Sequence, residues 1–454
     1  MSEPPARSSD VWGDESAVVQ EAIDWVRHRV VRPSDPKTTA RSARELAADA
    51  GPTVTATGIG GHRALRVFDE VLAPATRAQD DPMNLAYIPS APTRSAIAFE
   101  LVTSAANIFG GHWEAGAGAI FAENEALAWL VELLGWPTTA AGCFVSGGTS
   151  GNLAALVAAR DAATRRHGRP ANGWRLACTT EAHSSIRAVA KVMDVEIIAV
   201  PGDESGRLTG AALRTALADQ DGVFAVVASA GTTNAGVVDE LAAIADVAAE
   251  HGLWLHVDGA YGGAALAAGS VRALFTGIER ADSFIVDPHK WLFAPYDCCA
   301  LLYRDPDAAR AAHAQSASYL DTVDRDRSNP ADFAVHLSRR ARGLPFWFSL
   351  ATHGTDRYRA AVEFSLANAR TVAAAIEQIP GLRLVLAPQL SVLLFEHDGW
   401  REQDYHSWSR RLAAEGDMLC LPTRWHDRTV LRLAFVNPAT DPDQVIARLR
   451  EMRP

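Results

Sequence analysis

An α/β fold on a mostly parallel sheet is predicted for the middle of this 454-residue chain. Three observations predict it. Short β-branched or aromatic runs alternate with Ala/Leu-rich stretches of helical length. An aspartate closes one such run in HVDGAYGG (256–263), and thirty-two residues after it a lysine follows another in SFIVDPHKW (283–291). Seven strand candidates carry the rhythm: GCFVS, RLACTT, EIIAVP, VFAVVASA, LWLHVD, SFIVD and CALLYRD. Helices on both faces of the sheet account for runs that are apolar throughout. Only HKWLFAPYDC separates the last two candidates, too little for a helical crossover, so CALLYRD is expected to run antiparallel to its predecessor.

Around this core the pattern changes. Residues 1–15 read as a polar, Pro/Ser-containing tail, and VVQEAIDWVRHRV as an amphipathic helix. The opening segment, 1–75, has no strand of its own and is expected to pack on another surface, either the main domain or a second subunit. A large domain over 76–345 begins with the helical AIAFELVTSAANIF and ENEALAWLVELLG. It ends after a charged, irregular stretch at 311–338 that reads as a lid or loose loop. From 346 to 454 a long helix, YRAAVEFSLANARTVAAAIEQI, precedes strand candidates LRLVLAP, LSVLLFEH, MLCLPTR and VLRLAFV. A closing helix makes this a smaller C-terminal α+β domain.

Bulk composition narrows the function. Hydrophobic residues make up 48% and charged residues 21%, and the formal net charge is −11. That balance, without a long basic run, argues against nucleic acid or an anionic membrane as partner. No apolar stretch approaches a membrane span, and the first thirty residues lack the apolar core of a signal peptide. The five cysteines show no CxxC spacing. They read as reduced core thiols of a cytoplasmic protein, with no metal site.

Asp258 and Lys290 carry the chemistry. If LWLHVD and SFIVD are neighbouring parallel strands, both side chains face one crevice at the carboxyl ends, where open α/β sheets bind ligands. A carboxylate beside a lysine is the minimum equipment for pyridoxal phosphate. The lysine captures the aldehyde, and the acid keeps the pyridine nitrogen protonated. For two isolated residues an ion pair is the commoner reading; the surrounding motifs reverse it. Gly147, Gly148 and Thr149, in CFVSGGTSGNLAALVAAR, join a strand to a helix whose first N–H groups can cradle phosphate. A plain helix cap explains them equally well when taken alone. His183 follows a strand end where its ring could lie over a planar cofactor against small Ala260, and Thr232 ends another strand with a hydroxyl.

In order, SGGTSGNLAALVAAR, EAHSS, ASAGTTNAGVVDE, HVDGAYGG and DPHKW resemble the group II pyridoxal-phosphate-dependent decarboxylases, which act on aromatic L-amino acids, histidine or glutamate. The likeness runs from NLAYIPSAPTRSAIAFELVTSAAN through LSRRARGLPFWF into the C-terminal domain. It implies a fold-type-I homodimer with active sites at the subunit interface, acting on a small-molecule amino acid. By the same resemblance Lys290 is the Schiff-base lysine, Asp258 the partner of the ring nitrogen, and His183 and Ala260 the residues on either side of the ring. Gly148, Thr149 and His289 hold phosphate, and Thr232 bonds near the ring oxygen. Tyr87, Ile88 and Pro89 line the substrate pocket, with Trp113 reaching in from the other subunit. Arg432 is placed to contact the substrate carboxylate or to sit on a strand surface.

Two departures stand out. Asp287 replaces an asparagine seen in some relatives. Phe333 stands where relatives offer a loop tyrosine that protonates the substrate's α-carbon. That change suggests an oxygen-using aldehyde synthase as the rival to simple decarboxylation, with Phe333→Tyr expected to restore amine formation. Tyr319 or His336 could serve as the proton donor instead. Ile88 and Trp113 suggest an aromatic or apolar side-chain pocket. Another lyase or aminotransferase of the same fold, or a non-catalytic relative, completes the alternatives.

Overall fold

A computed structural model describes residues 16–31, 40–315 and 329–453. The expected tail at 1–15, Tyr319 and residues 316–328 of the expected loop lie outside the described residues. Seven strands form the large sheet: β1 Ala141–Val145, β2 Arg175–Thr179, β3 Glu196–Val200, β4 Val223–Ser229, β5 Trp254–Asp258, β6 Ser283–Val286 and β7 Cys299–Tyr303. Their order is β1-β7-β6-β5-β4-β2-β3. All seven coincide with the strand candidates. Strands β2 to β6 pair in parallel, and β7 is antiparallel to both β6 and β1. The short β6–β7 connection forces that reversal.

Because side chains alternate along a strand, β4 feeds two cores: Val226 and Ala228 face one, Val227 the other. The helix Gly148–His167 covers the second face with Ala154, Ala155, Ala158, Ala159 and Ala162. Such small side chains bring helix and sheet close together. Gly142 in β1 has a similar origin, since a Cβ there would stand 1.9 Å from the Leu301 carbonyl oxygen of β7.

Four antiparallel strands make the second sheet: β8 Leu382–Leu384, β9 Val392–His397, β10 Leu421–Trp425 and β11 Arg428–Ala434, in the order β10-β11-β9-β8. The first strand is shorter than LRLVLAP suggested. A helix over Glu402–Glu415, absent from the sequence reading, buries Tyr405, Trp408 and Leu412 against this sheet. Those three sit at i, i+3 and i+7, the spacing of one helical face.

The opening helix Ser16–Val31 has no buried residue, and Val19 and Ile23 stay more than half exposed. It is tied to its own chain at one end: Trp25 Nε1 donates to Asp69 Oδ1 at 2.6 Å, and Arg29 pairs with Asp80 at 2.7 Å.

One ion pair deep in the large domain locks the segment after the loop. Arg339 forms two 2.8 Å bonds to Glu123, both side chains being almost fully buried, and Gly343 N donates to the same carboxylate. Arg339→Met would strand Glu123 as an uncompensated buried charge, at a cost of about 3–5 kcal/mol. Urea unfolding should show a lower midpoint at an unchanged slope, the unfolding free energy falling by that amount.

Candidate active site

At the carboxyl edge of the sheet, the ends of β2, β4, β5 and β6 converge on a cavity of about 220 Å³. Asp258 ends β5, paired with Ser229 of β4 and Ile285 of β6. Lys290 lies four residues beyond β6. Both line the cavity, together with His183, Thr232, Ala260 and Tyr261. The register of β4, β5 and β6 is what puts these motifs into one crevice.

Asp258 is buried and fully engaged. Its Oδ2 accepts from Asn152 Nδ2 at 2.9 Å, and its Oδ1 from Ala260 N at 3.0 Å. Lys290 Nζ sits 2.9 Å from Asp287 Oδ2. Burial alone would lower the lysine's pKa, but the Asp287 carboxylate outweighs it, with help from Asp258, and the amine is held above its ordinary value. Asp287 itself is buried, and among the described residues its other oxygen, Oδ1, has no hydrogen-bond partner. His289, next to it, is pushed down by burial, with Nδ1 2.7 Å from the Cys298 carbonyl oxygen and Nε2 3.7 Å from Asp287 Oδ2.

The segment expected to hold phosphate joins β1 to the helix that follows. Gly147 precedes Gly148–His167 without a side-chain cap among the described residues, so the first N–H groups of the helix have no side-chain acceptor at Gly147. A Cβ on Gly148 would stand 3.2 Å from Asp287 Oδ2 and 3.4 Å from the Ala260 Cβ. This narrow floor joins the helix start to the Asp258 and Lys290 segments. An uncapped helix start, a buried acid and a cavity-lining lysine fit a phosphorylated aldehyde with a basic ring nitrogen.

The remaining residues are distributed as follows. His183 caps the helix Ser184–Met193, with Nδ1 2.8 Å from Ser185 Oγ. Thr232 Oγ1 accepts from Val237 N at 3.1 Å and keeps its own proton for another partner. Tyr87 and Ile88 line the cavity mouth; Tyr87 adopts φ +56° and is 68% exposed, while Pro89 is buried beside them.

Residues 64–397 match the family model for the pyridoxal-dependent decarboxylase conserved domain. The chain belongs to the pyridoxal-dependent decarboxylases. It is similar to an aromatic-L-amino-acid decarboxylase of Bacillus atrophaeus, 30% identical over 391 residues, covering 82% of this chain and 81% of the relative. It is also similar to an L-2,4-diaminobutyrate decarboxylase of Rhizobium meliloti (strain 1021), at 33% over 380 residues, 80% and 76% of the two chains. The crystal structure of Oryza sativa TDC with PLP and tryptamine shares the fold, with a TM-score of 0.88 across the whole of both chains at 24% identity. The decarboxylase is thus a carboxy-lyase whose cofactor is pyridoxal 5′-phosphate.

Phe333, Arg432, Trp113 and His336, singled out by sequence, do not line this cavity in the decarboxylase. Phe333 is completely buried in the core beneath the helix Gly148–His167, its ring stacked on Tyr303 at 6.4 Å and its carbonyl accepting from the Tyr303 hydroxyl. It is a packing residue anchored where the chain re-enters the domain, and this corrects the expectation of a loop position in contact with substrate. Arg432 is buried too, with its pKa pushed down to about 10 by desolvation. Its guanidinium donates to the carbonyl oxygens of Thr233 and Tyr87 at 2.7 Å each, bracing the two segments that line the cavity. Trp113 starts the helix Trp113–Leu134, where its N–H donates to Asn329. His336 also stays clear of this cavity, and burial holds its pKa at about 4.

Sequence reasoning missed Asn152, Ser185, His256 and Tyr261. Asn152 follows the SGGTSG motif by one residue, and His256 lies inside HVD. Nothing in either position signals that they meet. Tyr261, stacked on Trp291, reaches Ser391 of the small domain at 2.6 Å.

Proposed function

We propose that this enzyme removes the carboxyl group of an L-amino acid with an aromatic or apolar side chain, giving the amine and carbon dioxide. The observation that supports the side-chain class is the cavity wall. Tyr87, Ile88 and Tyr261 supply its apolar surface. Asp258, the only carboxylate among the described residues that line it, already accepts from Asn152 and the backbone. A cationic side chain such as that of diaminobutyrate would find no free anion there, and burying an unpaired ammonium costs several kcal/mol.

When bound, pyridoxal phosphate supplies an aldehyde that captures amines and a ring that withdraws electrons from the substrate's α-carbon. The protein's residues do the rest. Gly147, Gly148, Thr149 and His289 would hold the phosphate. Asp258 would sustain a positive charge at the ring nitrogen, with His183 and Ala260 on either side and Thr232 near the ring oxygen. Lys290 must shed a proton before its nitrogen can attack, and Asp287 at 2.9 Å is placed to take it. Tyr87, Ile88 and Pro89 would position the substrate, braced from behind by Arg432. A homodimer, with Trp113 reaching towards the partner's site, accords with the exposed apolar Val19, Ile23, Leu101, Val102 and Phe121.

Phe333, being buried, offers no support for the aldehyde-forming rival. The test supplies the cofactor-loaded protein with aromatic acids and diaminobutyrate, then measures carbon dioxide, amine, aldehyde and peroxide. Amine without peroxide is expected, with kcat/KM for the best aromatic acid roughly 100-fold above diaminobutyrate, the scale of a few kcal/mol. Phe333→Tyr should leave the product ratio unchanged. It should lower stability by about 1–3 kcal/mol if its hydroxyl stays unpartnered. Aldehyde and peroxide from the wild type, or a ratio that moves with Phe333→Tyr, would sink this reading.

A further inference from the structure

Behind the cavity, a chain of buried polar groups admits one self-consistent placement of hydrogens. A carboxylate only accepts. The Asn152 atom 2.9 Å from Asp258 Oδ2 is therefore the amide nitrogen, and the amide oxygen faces His256 Nε2 at 2.8 Å. That ring nitrogen must carry a proton. Burial holds His256 neutral, with a pKa pushed down to about 4, so its Nδ1 is bare and receives the Ser283 hydroxyl at 2.8 Å. Ser283 Oγ in turn accepts from Trp254 Nε1 at 2.8 Å.

On the other side, the second N–H of Asn152 meets Ser185 Oγ at 3.0 Å. With its oxygen accepting there, Ser185 gives its own proton to His183 Nδ1 at 2.8 Å, which the Ser185 backbone N–H also approaches at 3.2 Å. A nitrogen that receives two donors holds no proton of its own. Neutral His183 is then protonated at Nε2.

We propose that Asn152 and His256 are positioning residues that fix His183 as the Nε2–H tautomer, so that the ring presents a donor at the cavity beside Lys290. His256 holds the Asn152 amide in one orientation, Asp258 selects that orientation by its charge, and Ser185 transmits it. The group that His183 meets in the cavity must then be an acceptor, which suits the carboxylate of an amino acid. That consequence rests on the proposed decarboxylation, whereas the tautomer is a property of the chain alone, so the two can fail separately.

The test labels the cofactor-loaded enzyme with 15N-histidine and reads long-range 1H–15N correlations, assigning His183 by the signals lost in His183→Gln. The expected wild-type pattern is a pyridine-type Nδ1 and a protonated Nε2. Asn152→Leu and His256→Phe should each give a mixture of tautomers, with kcat falling on the order of tenfold, the scale of one buried hydrogen bond. His256→Gln, whose amide N–H can reach Asn152 Oδ1, should restore both the single tautomer and most of the rate. A proton on Nδ1 in the wild type would overturn the proposal without recourse to any variant. So would an unaltered single tautomer in folded Asn152→Leu and His256→Phe.

Discussion

Lys290→Arg is expected to give a folded, colourless protein with turnover reduced on the order of a thousandfold or more, the scale at which single members of a catalytic constellation act. Arginine is the informative replacement because Asp287 is buried and paired with Lys290 Nζ at 2.9 Å. Alanine would leave that carboxylate with a buried charge and no cation, mixing a stability loss with the catalytic one. A guanidinium preserves the positive charge facing Asp287, yet it does not deprotonate and cannot serve as the nucleophile. Circular dichroism and visible absorbance separate the outcomes: secondary structure retained, colour lost. Colour and rate close to wild type would remove Lys290 from the centre of the site.

Asp258→Asn should be the second most damaging change. A carboxylate within a few ångströms shifts a partner's pKa by roughly 1–3 pKa units, worth about 1.4–4 kcal/mol. Losing it should slow decarboxylation by on the order of 10- to 1000-fold. A second loss compounds the first. Both oxygens of Asp258 accept, one from Asn152 Nδ2 and one from Ala260 N. An asparagine has one acceptor atom, so its NH₂ would face one of those donors, at a cost of about 1–3 kcal/mol for the group left unpaired. Weaker cofactor retention on dialysis should therefore accompany the fall in kcat. Asp258→Glu keeps the charge but lengthens the side chain, and should retain more activity than Asp258→Asn if charge is the larger effect.

Strand ends were the legible part of this molecule. LWLHVD and SFIVD each stop at a polar residue after a buried run, and parallel neighbours must then place Asp258 and Lys290 at one edge. Lateral relations were less legible. Asn152 lies on a helix rich in alanine and His256 in the middle of a strand; their meeting depends on how the helix lies across the sheet. Phe333 was misplaced for a related reason. A charged, irregular stretch reads as a loop throughout, yet within it Pro330 to Ala334 are buried, and Phe333 and Ala334 join the core formed by the helix Gly148–His167 and Tyr303. Arg432 sits between Leu431 and Leu433, a pattern equally compatible with a ligand contact and with the carbonyl bracing observed. The helix Glu402–Glu415 was hidden by its charged outer face, although Tyr405, Trp408 and Leu412 mark the inner one.

The chain has only three lysines, Lys37, Lys191 and Lys290, so the site of cofactor attachment can be read without ambiguity. Freshly purified enzyme would be reduced with borohydride, digested, and mapped by peptide mass spectrometry. A single pyridoxyl-phosphate adduct on the peptide containing Lys290 is the expected result. An adduct on Lys191 or Lys37 instead, or none on protein that has been supplied with the cofactor, would contradict the placement of Lys290 and Asp258 at the centre of the active site.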